Sequence, residues 1–341
     1  MTNAAWETLS NQAVAMAGLV YFIALLVHLA EWASLRQPAT ERELVAASGA
    51  APETEVAESA STRTPGERTA FLGRLGFLLT AIACAVHFVA LVGRGMAADP
   101  NRVPWGNMYE FTVSGTFVVA LLYVVLYRRF KLAWMGPLVV GFVLTVLMVA
   151  VIWLHEKVAP LTEALNSPWL VIHVVSAVIA TGAFTLGGIA SVVYLVRERS
   201  ERRAAADGRE LSGWLARVPD LPALDRLAYR VHAFAFPVWT FAVLITGPIW
   251  AHEAWSRYWN WDPKEVWAFI TWVVYAGYLH ARATAGWKGR KAAMLALVGV
   301  ATLWFNFIGI NYFSTASQHS YAVERVVDGG APTLPVAGQP G

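Results

Sequence analysis

Residues 231–282 read VHAFAFPVWTFAVLITGPIWAHEAWSRYWNWDPKEVWAFITWVVYAGYLHAR. Two apolar runs, Val231–Trp250 and Val266–Ala281, enclose a polar, tryptophan-rich centre. Each run reads as a helix that crosses hydrocarbon, which takes about twenty residues; the second is short. Between Gly247 and Trp267 stand five tryptophans, Trp250, Trp255, Trp259, Trp261 and Trp267, together with Tyr258, His252, Glu253, Arg257 and Asp262. Trp and Tyr favour the membrane–water interface, so one reading is an aromatic belt. A belt uses one or two tryptophans per helix end. Five among charged residues read as a platform for a large flat ligand.

The same pattern of long apolar runs fills the chain. Of its 341 residues 57% are hydrophobic, and the mean hydropathy is +0.48. A soluble domain is nearer half apolar. The expected fold class is therefore all-α: a polytopic integral membrane protein of about eight transmembrane helices. These are placed at Ala13–Leu35, Phe71–Gly93, Phe111–Tyr127, Trp134–Leu154, Trp169–Val196, Val231–Trp250, Val266–Ala281 and Ala292–Phe313. The first run lacks a basic leader and reads as a span, not a cleaved signal peptide. The chain divides into a first helix with an outer N-terminus (1–36), a linker (37–70), a transmembrane domain (71–313) and an outer tail (314–341). The linker is rich in Ala, Glu, Thr, Ser and Pro without periodicity, and it is expected to be disordered and cytoplasmic.

Loop charge sets the orientation. Counting Arg74, the connections after spans one, three, five and seven hold twenty of the 26 Lys and Arg. The remaining six are Arg94, Arg102, Lys157, Arg257, Lys264 and Arg325. The positive-inside rule puts the twenty in the cytoplasm. Both termini and the tryptophan stretch then lie outside a cell (inner or plasma) membrane. Net charge is only +3 and is spread over loops, so no nucleic-acid partner is indicated. No Walker or GxGxxG pattern occurs. Cys84 is the one cysteine, inside an apolar run, and is expected to pack in the core.

The spans also sort the eight histidines. His173, one turn inside span five, and His319, in the tail, fall at the outer face and bracket the tryptophan stretch in sequence. His280, His232 and His28 fall toward the inner side. Neutral imidazole is a common axial ligand of haem iron, so an outer histidine pair over an aromatic platform suits a porphyrin, with Arg257, Lys264 and backbone amides available to its propionates. Glu31 lies near the inner end of span one and is expected to stay hydrated. Trp105, in PWGNMYEF (Pro104 to Phe111), borders span three, either as an interfacial anchor or, as the family resemblance given below implies, as a second wall of the outer site.

The stretch GPIWAHEAWSRYWNWDPKEVWAFITWVVYAGYLHAR, Gly247 to Arg282, resembles the tryptophan-rich WWD signature of the CcsA/ResC family of cytochrome c biogenesis (system II). The resemblance covers roughly residues 71–323. It implies that His173 and His319, the latter in QHSY, ligate haem b on the outer side and carry the catalytic role, over Trp250, Trp255, Trp259, Trp261 and Trp105, with Asp262 bracing the loop. It implies that His280, in YLHAR, ligates haem within the membrane, its axial partner coming from a CcsB/ResB-type membrane protein. It further implies delivery of haem to a CxxCH apocytochrome c whose two thiols add to the vinyl groups, with a thiol-reducing partner protein. The chain would then be the haem-ligating subunit of a holocytochrome c synthase. The alternatives are a haem exporter or chaperone without ligation activity and a b-type electron-transfer cytochrome. The latter generally sets two ligand histidines on one helix, and no expected span carries such a pair.

Overall fold

The computed structural model describes residues 1–35, 65–159 and 166–314. The described residues form helices and turns, with no strand among them. In chain order the helices are α1 (Asn3–Ser34), α2 (Pro65–Ala97), α3 (Met108–Leu126), α4 (Gly136–Trp153), α5 (Pro168–Ala206), α6 (Leu221–Thr240), α7 (Gly247–Trp255), α8 (Pro263–Ala283), α9 (Gly289–Trp304) and α10 (Ile310–Phe313). A π-helical segment, Phe241–Thr246, joins α6 to α7, and a second, Phe305–Gly309, joins α9 to α10.

Side-chain caps explain where several helices start. An N-cap side chain satisfies one of the donors that a helix leaves unpaired in its first turn. Asn107 accepts from the Glu110 amide at 2.9 Å, and Ser167 from the Trp169 amide at 3.1 Å. Asp262 caps α8 and forms a reciprocal capping box with Glu265. Proline follows the cap at Pro168 and Pro263, where its missing N–H costs nothing.

Seven segments are long and apolar enough to cross a membrane: α1, α2, α3, the stretch Leu132–Trp153, α5, the continuous rod Leu221–Trp255, and Gly289–Phe313. The expected eighth span is α8, which is 21 residues long but too polar to join them. The remaining differences lie at the edges. Helix α1 starts at Asn3 and not Ala13, capped by Thr2, and α2 starts at Pro65, so the last six residues assigned to the linker are helical. The rest of the linker, residues 37–64, lies outside the described residues, as do residues 315–341 of the tail.

The helices form two groups. Helices α1 to α4 pack on one another; α5 packs on α6 and α9, and α9 on α8. The groups meet chiefly where α3 crosses α5. Small residues permit these approaches. A Cβ on Gly188 would lie 2.8 Å from Val300, and one on Gly187 would lie 2.6 Å from the His232 ring.

Two ion-pair clusters tie the helix ends. On the side of the tryptophan stretch, Glu110 is 1% exposed and accepts from Arg94 Nε at 2.9 Å, Arg102 Nη1 at 2.6 Å and the Gly106 amide at 2.7 Å. Arg94 also donates to the Glu156 carbonyl, so the cluster joins the ends of α2, α3 and α4. Two of the six basic residues assigned by loop charge to the outer side thus share one buried carboxylate. At the other end Arg282 grips Asp225 with two bonds of 2.7 and 3.0 Å, holding α8 to α6. Glu31 corrects an expectation. It is buried, not hydrated, and pairs with Arg217 at 2.6 Å, while Trp32 stacks on Trp214 beside it. The short helical turn Gly213–Ala216 brings that arginine and indole back to the bundle.

Candidate functional site

A cavity of about 220 Å³ lies between the two helix groups. One water needs about 10–15 Å³ in the same measure, so the space is that of a ligand. Its walls are largely apolar: Phe142 and Val146 of α4, Leu170 and Val174 of α5, Trp239 of α6, and Phe307 past α9. Polar groups are few and placed: His173, Lys264, Glu265 and Asn306 among them. Few convergent polar groups in an apolar hollow are what small-molecule sites show.

His173 is the best-defined of these. Its Nδ1 lies 2.8 Å from the Ala242 carbonyl oxygen. A carbonyl only accepts, so Nδ1 carries the proton and Nε2 carries the lone pair of the neutral ring. Metal-binding histidines are oriented by this kind of bond through the second nitrogen. The carbonyl is set by the π-helical segment, where the Gly247 amide bonds back to Ala242. Such bulges frequently mark functional sites. Gly247 itself is required by the approach of the ring, since a Cβ there would lie 3.2 Å from His173 Nδ1 and Cε1.

The tryptophans sort into layers. Trp250 is 2% exposed, lines the cavity and lies nearly parallel to the His173 ring, with centroids 5.9 Å apart and planes at 15°. Trp255 meets Trp250 edge to face at 4.9 Å, behind the wall. Trp105 packs in the same cluster with Leu170 and Val174, its indole donating to Ser114 Oγ at 3.2 Å. Trp259 lines the cavity from the loop. Trp261 stands outside it, 70% exposed and at φ 55°, a left-handed conformation that a bulky residue rarely adopts. The loop is pinned there by Glu265, whose Oε2 accepts from the Asn260 amide at 2.9 Å and the Asp262 amide at 3.1 Å. Asp262 is buried and accepts from the Lys264 amide at 2.9 Å at the start of α8.

Lys264 Nζ donates to Asn311 Oδ1 at 2.9 Å. His280 does not join the site. It is exposed near the C-terminal end of α8, sixteen residues from Lys264, or about 24 Å along a helix. His319 lies outside the described residues. Among the described residues no group of three or more His, Cys, Asp or Glu side chains could hold a bare metal ion.

Sequence reasoning missed Asn306, Trp239 and the wall residues of α3 and α4. One signal was present: Asn306 and Asn311 stand five apart in the apolar run FNFIGINYF, and polar residues inside membrane helices are rarely idle. Arg257, offered as a cation for the ligand, instead bonds Asn260 at the exposed surface.

The fold and cavity define a multi-pass helical membrane protein with a histidine- and tryptophan-lined hollow near one end of its bundle. The family model described as "Cytochrome C assembly protein" matches residues 105–316. Similar relatives are the "Cytochrome c biogenesis protein CcsA" of Guillardia theta, 32% identical over 262 residues (72% of this chain, 85% of the relative), and that of Trieres chinensis, 30% identical over 276 residues (73% and 87%). A third is that of Synechococcus sp. (strain JA-2-3B'a(2-13)), 30% identical over 276 residues (65% and 78%). The chain belongs to the CcsA family of cytochrome c biogenesis proteins.

Proposed function

We propose that the chain binds haem b in the cavity and presents it at the outer membrane face for thioether attachment to a CxxCH apocytochrome c, as the haem-ligating subunit of a holocytochrome c synthase. The observation that carries this is His173: a half-buried imidazole in a ligand-sized apolar cavity, with its Nδ1 committed to Ala242. The residues fit the group. Trp250 and Trp259 offer flat apolar surface, and Lys264 offers a cation.

Haem supplies an iron that takes imidazole nitrogen and two vinyl groups that accept thiols. His173 would hold the iron through its free imidazole nitrogen, and His319, outside the described residues, would be the second imidazole. Trp250 keeps the His173 ring in one plane, and the apolar walls exclude water from the iron. Each substrate thiol adds its sulfur to one vinyl carbon and its proton to the other, with no net redox change. A thiol-reducing partner keeps those cysteines reduced. His280, exposed on α8, would serve a second haem position shared with a CcsB/ResB-type partner.

The test is co-expression of the chain and such a partner with an apocytochrome. Covalently attached haem supports the synthase, and His280→Ala should lower the haem content of the complex, with imidazole restoring part. Bound haem without covalent product would favour an exporter or chaperone. Unchanged haem after His280→Ala would reject it as a ligand.

The orientation follows from loop charge. Both termini and the cavity end of the bundle face outward across the inner or plasma membrane. Reporter fusions after Arg202 and after Gly330 should report opposite sides. The same side for both would overturn the topology.

A further inference from the structure

Two walls of the cavity do not close on each other. Helix α4 packs chiefly on α1 and α3, and α9 on α5, α6 and α8. Both line the cavity, α4 through Phe142 and Val146 and α9 through Leu303 and Trp304. Yet α4 and α9 themselves are not packed together. Phe142 meets Trp304 across the seam, edge to face, with centroids 5.6 Å apart and planes at 75°. Both rings are half-buried. One such ring pair is a weak closure beside the interlocked side chains of a packed interior.

The depth of the seam decides what it faces. Phe142 stands six residues after Gly136 and eleven before Trp153, or about 9 and 16 Å along the helix. That is inside the hydrocarbon layer, which is roughly 30 Å thick. At the tryptophan end the two helix groups are tied, because buried Asn311 donates from Nδ2 to the buried Met108 Sδ at 3.1 Å. The seam is therefore loose at bilayer depth and fastened at the rim. It turns toward lipid chains and not toward water.

We propose that the seam between α4 and α9 is a lateral portal through which the cavity exchanges its ligand with the bilayer, with Phe142 and Trp304 as the gate. This rests on the haem reading, which names the molecule held and leaves its path open. A flat, largely apolar molecule dissolved in the membrane passes edge first between the two rings and reaches His173 without crossing an aqueous layer. When the rings meet again, the ligand is enclosed by apolar walls.

The experiment locks the gate. Phe142→Cys and Trp304→Cys are combined in a Cys84→Ala background, which leaves only the two new thiols. A short bifunctional methanethiosulfonate bridges them, and a phosphine later cleaves the bridge. The full-length chain is held in lipid nanodiscs and haemin is supplied from vesicles. Uptake is read as growth of the histidine-ligated Soret band, and release as transfer of haemin to apomyoglobin. Bridging should slow both rates by roughly tenfold or more. It should leave the Soret position of a preloaded chain unchanged, and the phosphine should restore both rates. Phe142→Ala and Trp304→Ala, each removing one ring, should speed uptake and release together. Equal rates before and after bridging would overturn the portal while leaving the haem reading standing; a lipid chain that fills the seam permanently would give this result. If the double variant binds no haemin before bridging, the alanine variants decide, and unchanged rates in both would overturn the portal. A wild-type chain that gives no histidine-ligated band would overturn the haem reading, and the portal with it.

Discussion

Replacing His173 by glycine is expected to abolish cytochrome c maturation, with imidazole in the medium restoring part of it. The ring lines the cavity, lies parallel to Trp250 at 5.9 Å, and has one nitrogen fixed by the Ala242 carbonyl at 2.8 Å. Removing it would take away the proposed bond to iron and open a slot between α5 and the π-helical segment that free imidazole fits. The surrounding helices should hold, because Ala242 keeps its backbone donor in Gly247 and the hydroxyl of Thr246 at 3.1 Å. Loss of maturation with normal accumulation, and recovery with imidazole, would support an axial role. Full haem retention and full cytochrome yield in His173→Gly would sink it. His319→Gly should behave alike if the tail supplies the second imidazole.

The second large effect concerns stability. Glu110→Ala is expected to destabilise the bundle by about 3–5 kcal/mol, the usual cost of breaking a buried pair from one side. The change would leave Arg94 and Arg102 without their shared carboxylate, and the Gly106 amide without its acceptor. Arg94 is 3% exposed, so water cannot easily replace what is lost. Thermal unfolding in detergent should show a lowered midpoint for Glu110→Ala. Removing Arg102 should cost less, because its side chain is the more exposed partner. An unchanged midpoint for Glu110→Ala would mean that the cluster contributes nothing to holding the three helix ends together.

How much of this could be read from sequence depended on scale. Hydropathy over about twenty residues located every long helix, because bilayer thickness acts on the sum of a segment and not on single positions. Asp262 and Glu265 start α8 as a capping box, a local signal that the reading of the stretch did not use. Burial was not local. Glu31 looked like a hydrated end-of-helix charge, and only the return of Arg217, almost two hundred residues later, shows why it is buried. The tryptophan stretch was legible as a cluster, but which of its members line the cavity was not. Trp250 and Trp259 line the cavity while Trp261 points away, because a left-handed turn at Trp261 breaks the periodicity that would have predicted its direction. Asn306 was passed over for a related reason, since it lies in a π-helical segment where the spacing rules of the α-helix fail.

Those two π-helical segments carry a further meaning. Each holds one residue more than an α-helix would need over the same rise, and α7 and α10 are therefore rotated by about 100° against the rods that lead into them. The faces that α7 and α10 present are set by this offset as much as by side-chain identity. Deleting a single residue from Phe241–Thr246 would heal the rod and leave its hydropathy almost untouched, yet it would turn the face bearing Trp250 away from His173. Shape here is written in length, and a comparison that scores only which amino acids occur would miss it.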